Sequence, residues 1–342
     1  MIADKLKDVM DLVTALLQPE AYPEPTPQVE FLQTYISYIF LTAKHAYKIK
    51  KPVNFGYLDF TTLRKRHYYL EQELLLNRRL APEMYLAVLP VVQHRGRLRL
   101  GGKGQVVDYA LQMLRLPQHL MMDEVAARGE LTTAMIDKIV DRLVPFYRSA
   151  ATGGRINKFG HSAVIRFNHA ENFQQIEPFV GSLLSRQHFR DMVRYVEEFL
   201  SRQADLLAAR LRSGKIRDCH GDLHMKNICL ANSVYIFDCI EFNPRFRYGD
   251  IAADIAFLAM DLDFYGYAAL SRYFSETYAA QAADAQLLSL LPFYKCYRAV
   301  VRGKINALAS QAEETTPADQ AALAETARRY FTLAWQYIQE SR

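Results

Sequence analysis

The chain has 342 residues, of which 50% are hydrophobic and 23% are charged, so it is long enough for two cores, and its composition excludes a largely disordered protein. Its net charge is +5, but the basic residues are scattered, which argues against a nucleic-acid-binding protein. No apolar run reaches membrane-spanning length. The spacing of the four cysteines, Cys219, Cys229, Cys239 and Cys296, fits neither a zinc site nor a disulfide framework. We therefore expect a reduced, cytoplasmic protein that binds neither nucleic acid nor membrane.

Two short hairpins are predicted in the first 50 residues. Residues 33–40 form the first, and residues 40–48 form two strands joined by a tight turn at Ala43–His45. Lys48 and Lys50 follow on the last strand and point to the same face, because strand side chains alternate with a period of two. The sequence therefore predicts a strand that presents two lysines on one face, and a solvated basic edge is the alternative.

The first long helix is predicted at residues 61–80, where apolar residues recur at helical spacing and Pro82 stops the pattern. Glu71 and Glu73 are its candidates for an inward-facing carboxylate. A surface charge on the helix is the alternative for each.

Two further strands are predicted at residues 85–93 and 106–116, with a turn at Arg95-Gly96. The run at residues 101–104, G-G-K-G, lacks the strand-to-helix context of a phosphate-binding loop, so we expect a hairpin loop there. After Pro117 the chain is mainly helical, with helices predicted at residues 131–149, 187–213, 268–283, 286–309 and 317–339. The predicted fold class is therefore α+β, with a small β-rich first lobe and a large, mostly helical second lobe.

The most informative segment, residues 220–227, reads H-G-D-L-H-M-K-N, and a β-favouring run at residues 234–237 leads into Asp238. Phosphoryl transfer needs a carboxylate that orients the acceptor hydroxyl, together with an amide and a carboxylate oxygen that hold Mg²⁺. Asp222, Asn227 and Asp238 supply these groups in that order. Asp222 and Asn227 are also spaced as in the protein-kinase pattern H-R-D-L-x-x-x-N.

Gly221 stands where protein kinases usually have Arg, and the loop resembles the H-G-D-x-H-x-x-N motif of the aminoglycoside phosphotransferase and choline kinase family. The segment Gly249–Ala256 is similar to the G-D-x-x-x-D-L-A segment of that family. The resemblance covers nearly the whole chain and is closest to an uncharacterised bacterial branch that often carries a C-terminal P-loop ATP-binding domain. It implies a two-lobed protein-kinase-like fold, with residues 1–114 as the N-lobe and residues 115–342 as the C-lobe.

The resemblance also assigns roles in the N-lobe. Lys48 follows Ala46 at the interval found before the phosphate-binding lysine of kinases, so Lys48 ranks first for that role and Lys50 is the alternative. The partner carboxylate is expected on the helix. Glu73 is preferred there, because its stretch is similar to the matching helix of the bacterial branch.

Two further contacts to the nucleotide are predicted. No Gly-rich loop precedes the lysines, and no G-x-x-x-x-G-K-[ST] motif occurs in the chain. We therefore expect the hydroxyls of Thr34 and Ser37 to contact phosphate in place of glycine backbone groups. The hinge is expected at Met113–Pro117, where the resemblance implies that backbone groups pair with adenine.

Four residues receive structural roles around the catalytic loop. His220 and His224 lie within the loop, and phosphate contact or simple filling of space are the alternatives for His224. In the family, the acids at the positions of Asp250 and Asp254 brace the loop.

The expected function is an ATP- and Mg²⁺-dependent phosphotransferase that acts on a hydroxyl of a small molecule. A protein Ser/Thr kinase and a nucleotide-sensing pseudokinase that regulates a partner are the alternatives. The expected partners are the nucleotide and the acceptor. This chain is expected to stop before the P-loop domain of its branch, so a separate P-loop protein is a further expected partner.

Two groups of residues give opposite indications of the acceptor. The acids Glu241, Asp261 and Asp263 suit a cationic aminoglycoside. A basic helix face suits an anionic acceptor and consists of Lys295, Arg298, Arg302 and Lys304. Solvated charges are the alternative for both groups, so the sequence leaves the acceptor open.

Overall fold

The computed structural model describes residues 12–312 and 315–341, which form two compact units. The first unit ends at Met121 and also includes Ile228–Pro244. The second unit consists of Met122–Asn227 and of the residues from Arg245 onward. The chain thus returns to the first unit for one short segment, and that segment contains Asp238.

The first unit is built on a six-stranded antiparallel sheet. Its strands are β1 (Glu30–Gln33), β2 (Ser37–Leu41), β3 (His45–Lys50), β4 (Tyr85–His94), β5 (Arg97–Leu100) and β6 (Gln105–Leu114), in the order β1-β2-β3-β6-β4-β5. Helix α1 (Leu63–Asn77) connects β3 to β4. A two-stranded ribbon of β8 (Ile228–Leu230) and β9 (Val234–Ile236) completes the unit.

Helix α1 packs on one face of this sheet. Its N-terminus is capped by Thr62, whose side chain accepts a hydrogen bond from the N–H of Lys65. Leu70 of α1 is fully buried and packs with Leu111 and Met113 of β6. The opposite face has a core of its own, built from Tyr38, Phe40, Tyr47, Ile49 and Val91. Because Lys48 and Lys50 alternate with residues of that core, their side chains point to the face that α1 covers.

The second unit is mainly helical. Its helices are α2 (Met122–Ala127), α3 (Thr133–Ser149), α4 (Ser162–Ile176), α5 (Arg186–Arg202), α6 (Ala204–Arg212), α7 (Pro244–Arg247), α8 (Ile251–Phe264), α9 (Ala268–Gln281), α10 (Gln286–Ala309) and α11 (Pro317–Glu340). The first residue of α7 belongs to the first unit. Strands β7 (Ile216–Asp218) and β10 (Tyr248–Asp250) form a two-stranded ribbon. Strand β7 leads into the loop at residues 219–227, and β10 leads into α8.

Helix α8 lies at the centre of this unit. Eleven of its fourteen residues are buried, and two of the buried residues are Asp254 and Asp261. A helix that is buried on nearly all sides is rich in apolar residues around its whole circumference. Carboxylates in such a helix need donors from the protein, because water does not reach them.

The predicted fold class is confirmed, since the first unit is β-rich and the second is mostly helical. The hairpins, the first helix and the strands at residues 85–93 and 106–116 all occur close to their predicted positions. The structure adds several elements that were not predicted, among them β5, α4 and α8, and it divides the predicted helix 187–213 at Gln203. The lobe boundary at residue 114 stays a prediction. No helix in the described part of the chain combines the length and the apolar character needed to cross a membrane.

Candidate functional site

The first group of predicted site residues is a cluster of mostly buried charges in the first unit. Lys48 Nζ lies 2.7 Å from Glu73 Oε1 and 2.7 Å from Asp238 Oδ1. Glu73 is 0% exposed and Lys48 is 9% exposed. The cluster thus joins a lysine of β3, a glutamate of α1 and the aspartate that follows β9.

Glu73 faces inward because it lies on the buried stripe of α1, together with Leu70 and Asn77. Glu71 is about half exposed, and its nearest basic partner is His67 of the same helix, at 3.5 Å. The structure therefore places Glu73, and not Glu71, against the lysines.

Both lysines of β3 pair with this one carboxylate. Lys50 Nζ lies 2.8 Å from Glu73 Oε2 and 2.5 Å from Glu241 Oε1. The ammonium group also lies 4.7 Å from the ring centroid of Phe60, within the range of a cation–π contact. Of the two lysines, Lys48 is the one that contacts Asp238.

Asp238 has an unusual backbone conformation for a residue with a side chain. Its φ is +61°, in the left-handed region. Its N–H donates to Tyr85 Oη at 3.2 Å, and the N–H of Cys239 donates to Asn77 Oδ1 at 2.8 Å. These contacts hold the strained turn. The carboxylate that it directs outward is 46% exposed.

The two lysines determine the charge state of Glu73. Burial alone would raise the pKa of the Glu73 carboxyl, but the charges of Lys48 and Lys50 outweigh it and lower the pKa to about 2. Burial likewise disfavours the charged form of Lys48, yet the carboxylates of Asp238 and Glu73 hold its pKa well above the ordinary value. Lys48 and Glu73 are therefore both charged at neutral pH.

Replacing Glu73 by Gln is expected to remove an acid-sensitive part of the stability. Because the pKa of Glu73 falls from 4.5 to about 2 on folding, its contribution is fully present above pH 4.5 and is lost as the pH falls towards 2. The shift corresponds to about 3 kcal/mol. We expect the difference in unfolding free energy between wild type and variant to shrink by about this amount over that pH range. Urea unfolding at a series of pH values measures it, and a difference that is constant with pH would contradict the assignment.

A second group of predicted site residues lies in the loop at residues 220–227 of the second unit. Asn227 Nδ2 lies 3.0 Å from the main-chain oxygen of Asp222 and 3.1 Å from its Oδ2. His224 Nε2 lies 3.3 Å from the same Oδ2. The Asp222 side chain is 32% exposed, and its Oδ1 accepts no hydrogen bond from the described residues. One edge of this carboxylate is thus fixed by the loop, and the other is available.

The loop also sets the charge of Asp222. Burial would raise the pKa of its carboxyl, but the charges of His224 and Arg302 and the hydrogen bond with His224 outweigh this effect. The pKa is held below its ordinary value of 3.8. Asp222 is therefore a carboxylate at neutral pH, which accepts hydrogen bonds and cannot donate one.

Asp254 holds the start of this loop. Its buried carboxylate accepts the N–H of His220 at 2.6 Å, the N–H of Gly221 at 3.0 Å and the hydroxyl of Tyr147 at 3.0 Å. Arg298 donates to the same carboxylate at 3.1 Å and to the main-chain oxygen of Gly221 at 3.1 Å. The φ of Gly221 is +88°, a conformation that favours glycine. These contacts fix the backbone that carries Asp222.

Asp250 has a different role from Asp254. It caps α8 by accepting the N–H of Ala252 at 2.8 Å, and it accepts two hydrogen bonds from Arg210, at 2.5 and 2.9 Å. Arg210 is fully buried and also pairs with Asp284 at 2.5 Å. Asp250 therefore anchors the start of α8.

The remaining predicted nucleotide contacts lie in the first unit. Ser37 is opposite Lys50 in the β2–β3 register and is 0% exposed, and its Oγ has no hydrogen bond among the described residues. Thr34 Oγ1 accepts two N–H groups of the turn before β2. Met113 lies in β6, between β3 and β4, near the end of the strand. The contacts of Thr34, Ser37 and Met113 with nucleotide stay predictions.

Each unit has one side-chain oxygen of the kind that Mg²⁺ prefers, Asn227 Oδ1 in the second unit and Asp238 Oδ2 in the first. Asn227 uses its amide nitrogen for Asp222, and its Oδ1 accepts no hydrogen bond from the described residues. Asp238 uses Oδ1 for Lys48, and its Oδ2 has no donor among the same residues. An amide and a carboxylate fit Mg²⁺, which usually takes one or two protein ligands and completes its shell with water and phosphate oxygens.

Three charged residues make contacts that differ from those predicted from the sequence. Glu241, which is predicted to line a site for a cationic acceptor, pairs with Lys50. Arg298 and Arg302 are predicted to belong to a basic helix face. In the structure, Arg298 supports the loop at residues 220–227, and the charge of Arg302 lowers the pKa of Asp222. Their positions in the sequence could have indicated these contacts. Glu241 follows Asp238 by three residues, and Arg298 and Arg302 are one helical turn apart.

Comparison with known proteins gives relatives without an assigned function. No family model matches the chain. Uncharacterized proteins of Mycobacterium tuberculosis and Mycobacterium bovis are 30% identical to it over 317 residues, which is 92% of this chain and 61% of each relative. The chain therefore spans less than two thirds of the length of these relatives.

A solved structure shares its fold. An ethanolamine kinase of Plasmodium vivax is similar over 92% of this chain and 84% of its own, with a TM-score of 0.51 and 12% sequence identity. A choline/ethanolamine kinase family protein from Mesorhizobium loti covers 99% of this chain with a TM-score of 0.49 and 12% identity. The resemblance seen in the loop is thus confirmed at the level of the fold: this chain has a protein-kinase-like fold.

Proposed function

We propose that the protein is an ATP- and Mg²⁺-dependent phosphotransferase that transfers the γ-phosphate to a hydroxyl of a small molecule. The observation that carries the proposal is the contact of Lys48 with both Glu73 and Asp238. Kinases use a lysine–glutamate pair and a metal-binding aspartate to hold nucleotide phosphates. The structure that shares the fold is, by its name, a kinase of a small amino alcohol.

Asp222 is the proposed catalytic base. Its carboxylate is charged at neutral pH and partly exposed, so it can accept a hydrogen bond from the acceptor hydroxyl and orient that oxygen for attack. Asn227 and His224 hold the other carboxylate oxygen and so fix its direction. Positioning of this kind is the main contribution of the protein to phosphoryl transfer, because the transition state is loose.

Lys48 is proposed to bind the nucleotide phosphates. A lysine ammonium has three hydrogens, of which Glu73 and Asp238 accept two, so one remains for a phosphate oxygen. Asn227 and Asp238 would hold Mg²⁺, which supplies neutralisation of the phosphate charge when it is bound. The hydroxyls of Thr34 and Ser37 and the backbone around Met113 complete the proposed nucleotide contacts.

Four of the seven charged residues that gave opposite indications of the acceptor form ion pairs within the protein. Lys295 Nζ donates to Asp263 Oδ2 at 2.9 Å, and Arg298 donates to Asp254. Glu241 is paired with a lysine of β3. Since these four charges are internally paired, they do not argue for a cationic or an anionic acceptor. The proposal therefore specifies a hydroxyl group and leaves the charge of the acceptor open.

The test is product analysis by mass spectrometry after incubation with ATP and Mg²⁺. Separate pools contain aminoglycosides, amino alcohols, sugars or nucleosides, and each is repeated with a chelator in place of Mg²⁺. We expect a phosphorylated product in one pool that disappears with the chelator. Phosphorylation of protein substrates alone would favour the protein kinase. Binding of ATP without transfer in any pool would favour the nucleotide sensor.

A cytoplasmic location and a separate P-loop protein as partner are also part of the proposal. The proposed P-loop partner rests on two observations. The loop resembles that of a bacterial branch that often carries a P-loop domain, and the relatives extend beyond the matched region. Assays with and without a co-purified P-loop protein test it.

Replacing Lys48 by Met is expected to weaken binding of Mg²⁺·ATP about 10- to 100-fold, because a hydrogen bond between charged groups contributes about 1.5–3 kcal/mol. Isothermal titration measures the affinity. Lys44→Met is the matched control, since Lys44 is an exposed lysine in the turn before β3. Equal affinities for the two variants would contradict the role of Lys48.

A further inference from the structure

Lys50 is a second lysine in the charge cluster, and phosphate binding does not explain it. Its side chain is 0% exposed, and its ammonium group contacts Glu73, Glu241 and the ring of Phe60. These three neighbours surround the group, whereas Lys48 reaches an exposed carboxylate. A buried charge is costly to desolvate, so a lysine at this position needs a role that a hydrophobic residue could not fill.

The contact with Glu241 ties down the end of the segment that carries Asp238. That segment begins with the left-handed backbone of Asp238, whose N–H is held by Tyr85, and the next N–H is held by Asn77. Three residues after Asp238, the Glu241 side chain is 5% exposed and lies 2.5 Å from Lys50 Nζ. Hydrogen bonds thus hold the start of the segment, and an ion pair to β3 holds its end.

The contact with Glu73 fixes the helix side of the cluster. Each oxygen of this carboxylate is occupied by a different lysine, Oε1 by Lys48 and Oε2 by Lys50. Rotation of the carboxylate would break both contacts at once. Lys50 therefore keeps Oε1 directed at Lys48.

We propose that Lys50 is a positioning residue that holds Glu73 directly, and Asp238 through Glu241, in the arrangement that binds Mg²⁺ and phosphate. This inference rests on the proposed function of the site. Its structural part concerns the chain alone: without Lys50, the segment that carries Asp238 loses the ion pair that ties Glu241 to β3.

The test uses a variant in which both charges of the pair are removed, Lys50→Met with Glu241→Met. Exchange of a buried ion pair for apolar side chains of similar size is often neutral for stability, so this variant is expected to fold. The matched control is Arg66→Met with Asp108→Leu. That pair is also buried in the first unit and joins α1 to β6 at 2.9 Å, and neither residue is part of the proposed site.

Hydrogen exchange of the free protein is the first measurement. We expect the amides of residues 238–242 to exchange about tenfold faster in the Lys50/Glu241 variant than in wild type, and to be unchanged in the control. Equal protection in all three proteins would overturn the proposal, because the segment would then be held without Lys50.

The second measurement is the affinity for Mg²⁺·ATP and its dependence on Mg²⁺ concentration. We expect the Lys50/Glu241 variant to need about tenfold more Mg²⁺ for half-maximal nucleotide binding, and the control to match wild type. Wild-type behaviour of the Lys50/Glu241 variant would overturn the proposal. If wild type itself binds no nucleotide, the proposed function fails, and the exchange result still decides whether Lys50 holds the segment.

Discussion

Replacing Asp222 by Asn is expected to lower kcat about 10³-fold, the range in which a positioned base contributes to catalysis. Asn has nearly the same shape, and its amide oxygen can still accept the hydrogen bond from Asn227. It carries no charge, however, and cannot take a proton from the acceptor hydroxyl. Because Lys48 and Asp238 are unchanged, we expect the affinity for Mg²⁺·ATP to stay within about twofold of wild type.

Steady-state kinetics with the acceptor found in the pools measures this effect. The control is Asp218→Asn, a carboxylate on β7 that pairs with Arg247 at 2.6 Å. Asp218 has no place in the proposed mechanism, so its variant should keep kcat within about twofold of wild type. If Asp222→Asn kept kcat within tenfold of wild type, another group would have to orient the acceptor.

The largest effect on stability is expected from Asp254→Ala, which should destabilise the second unit by about 3–5 kcal/mol. The substitution leaves the guanidinium of Arg298 without its buried carboxylate. It also removes the acceptor of the hydroxyl of Tyr147 and of the N–H groups of His220 and Gly221. Buried donors that lose their acceptor each carry a desolvation cost of about 1–3 kcal/mol, although such costs do not simply add.

Urea unfolding followed by tryptophan fluorescence measures this loss, because the single tryptophan, Trp335, lies on α11 in the second unit. The control is Glu198→Ala, which removes a half-exposed carboxylate that pairs with Arg202 at 3.3 Å on α5. An exposed pair of this kind contributes at most about 1 kcal/mol. A loss for Asp254→Ala no larger than that of the control would show that the loop is held by other contacts.

The parts of the site that depend on local spacing were predicted from the sequence. Strand periodicity placed Lys48 and Lys50 on one face, and the structure shows both on the face covered by α1. The interval between Asp222 and Asn227 predicted a shared loop, and their side chains are in contact. Such predictions succeed because a few bonds fix the geometry of neighbouring residues.

Helices and strands whose apolar residues do not repeat at a clear interval could not be predicted in this way. Helix α8 is buried nearly all round, so its apolar residues do not form one stripe. Strand β5 alternates charged and apolar residues, Arg97-Leu98-Arg99-Leu100, but it has only four residues, and this alternation is too short to establish a period next to the turn at Arg95-Gly96. The break at Gln203 lacks a glycine or proline to mark it, and the chain simply changes direction between α5 and α6.

The ionic partners are set by packing and not by spacing. The pairs of Lys50 with Glu241 and of Arg298 with Asp254 join residues 191 and 44 positions apart. Charged residues on a helix usually face water, which made solvation of the basic residues of α10 a reasonable alternative. Burial against α8 instead pairs Arg298 with a carboxylate that supports the loop carrying Asp222.

The central claim is that this chain transfers phosphate from ATP to a hydroxyl with Asp222 as base. It is tested most directly by Mg²⁺-dependent ATP turnover against the pooled acceptors, with wild type and Asp222→Asn measured side by side. We predict turnover by wild type that requires both Mg²⁺ and one acceptor pool, and its near-complete loss in the variant. Tight binding of ATP by wild type without turnover in any pool would contradict the claim.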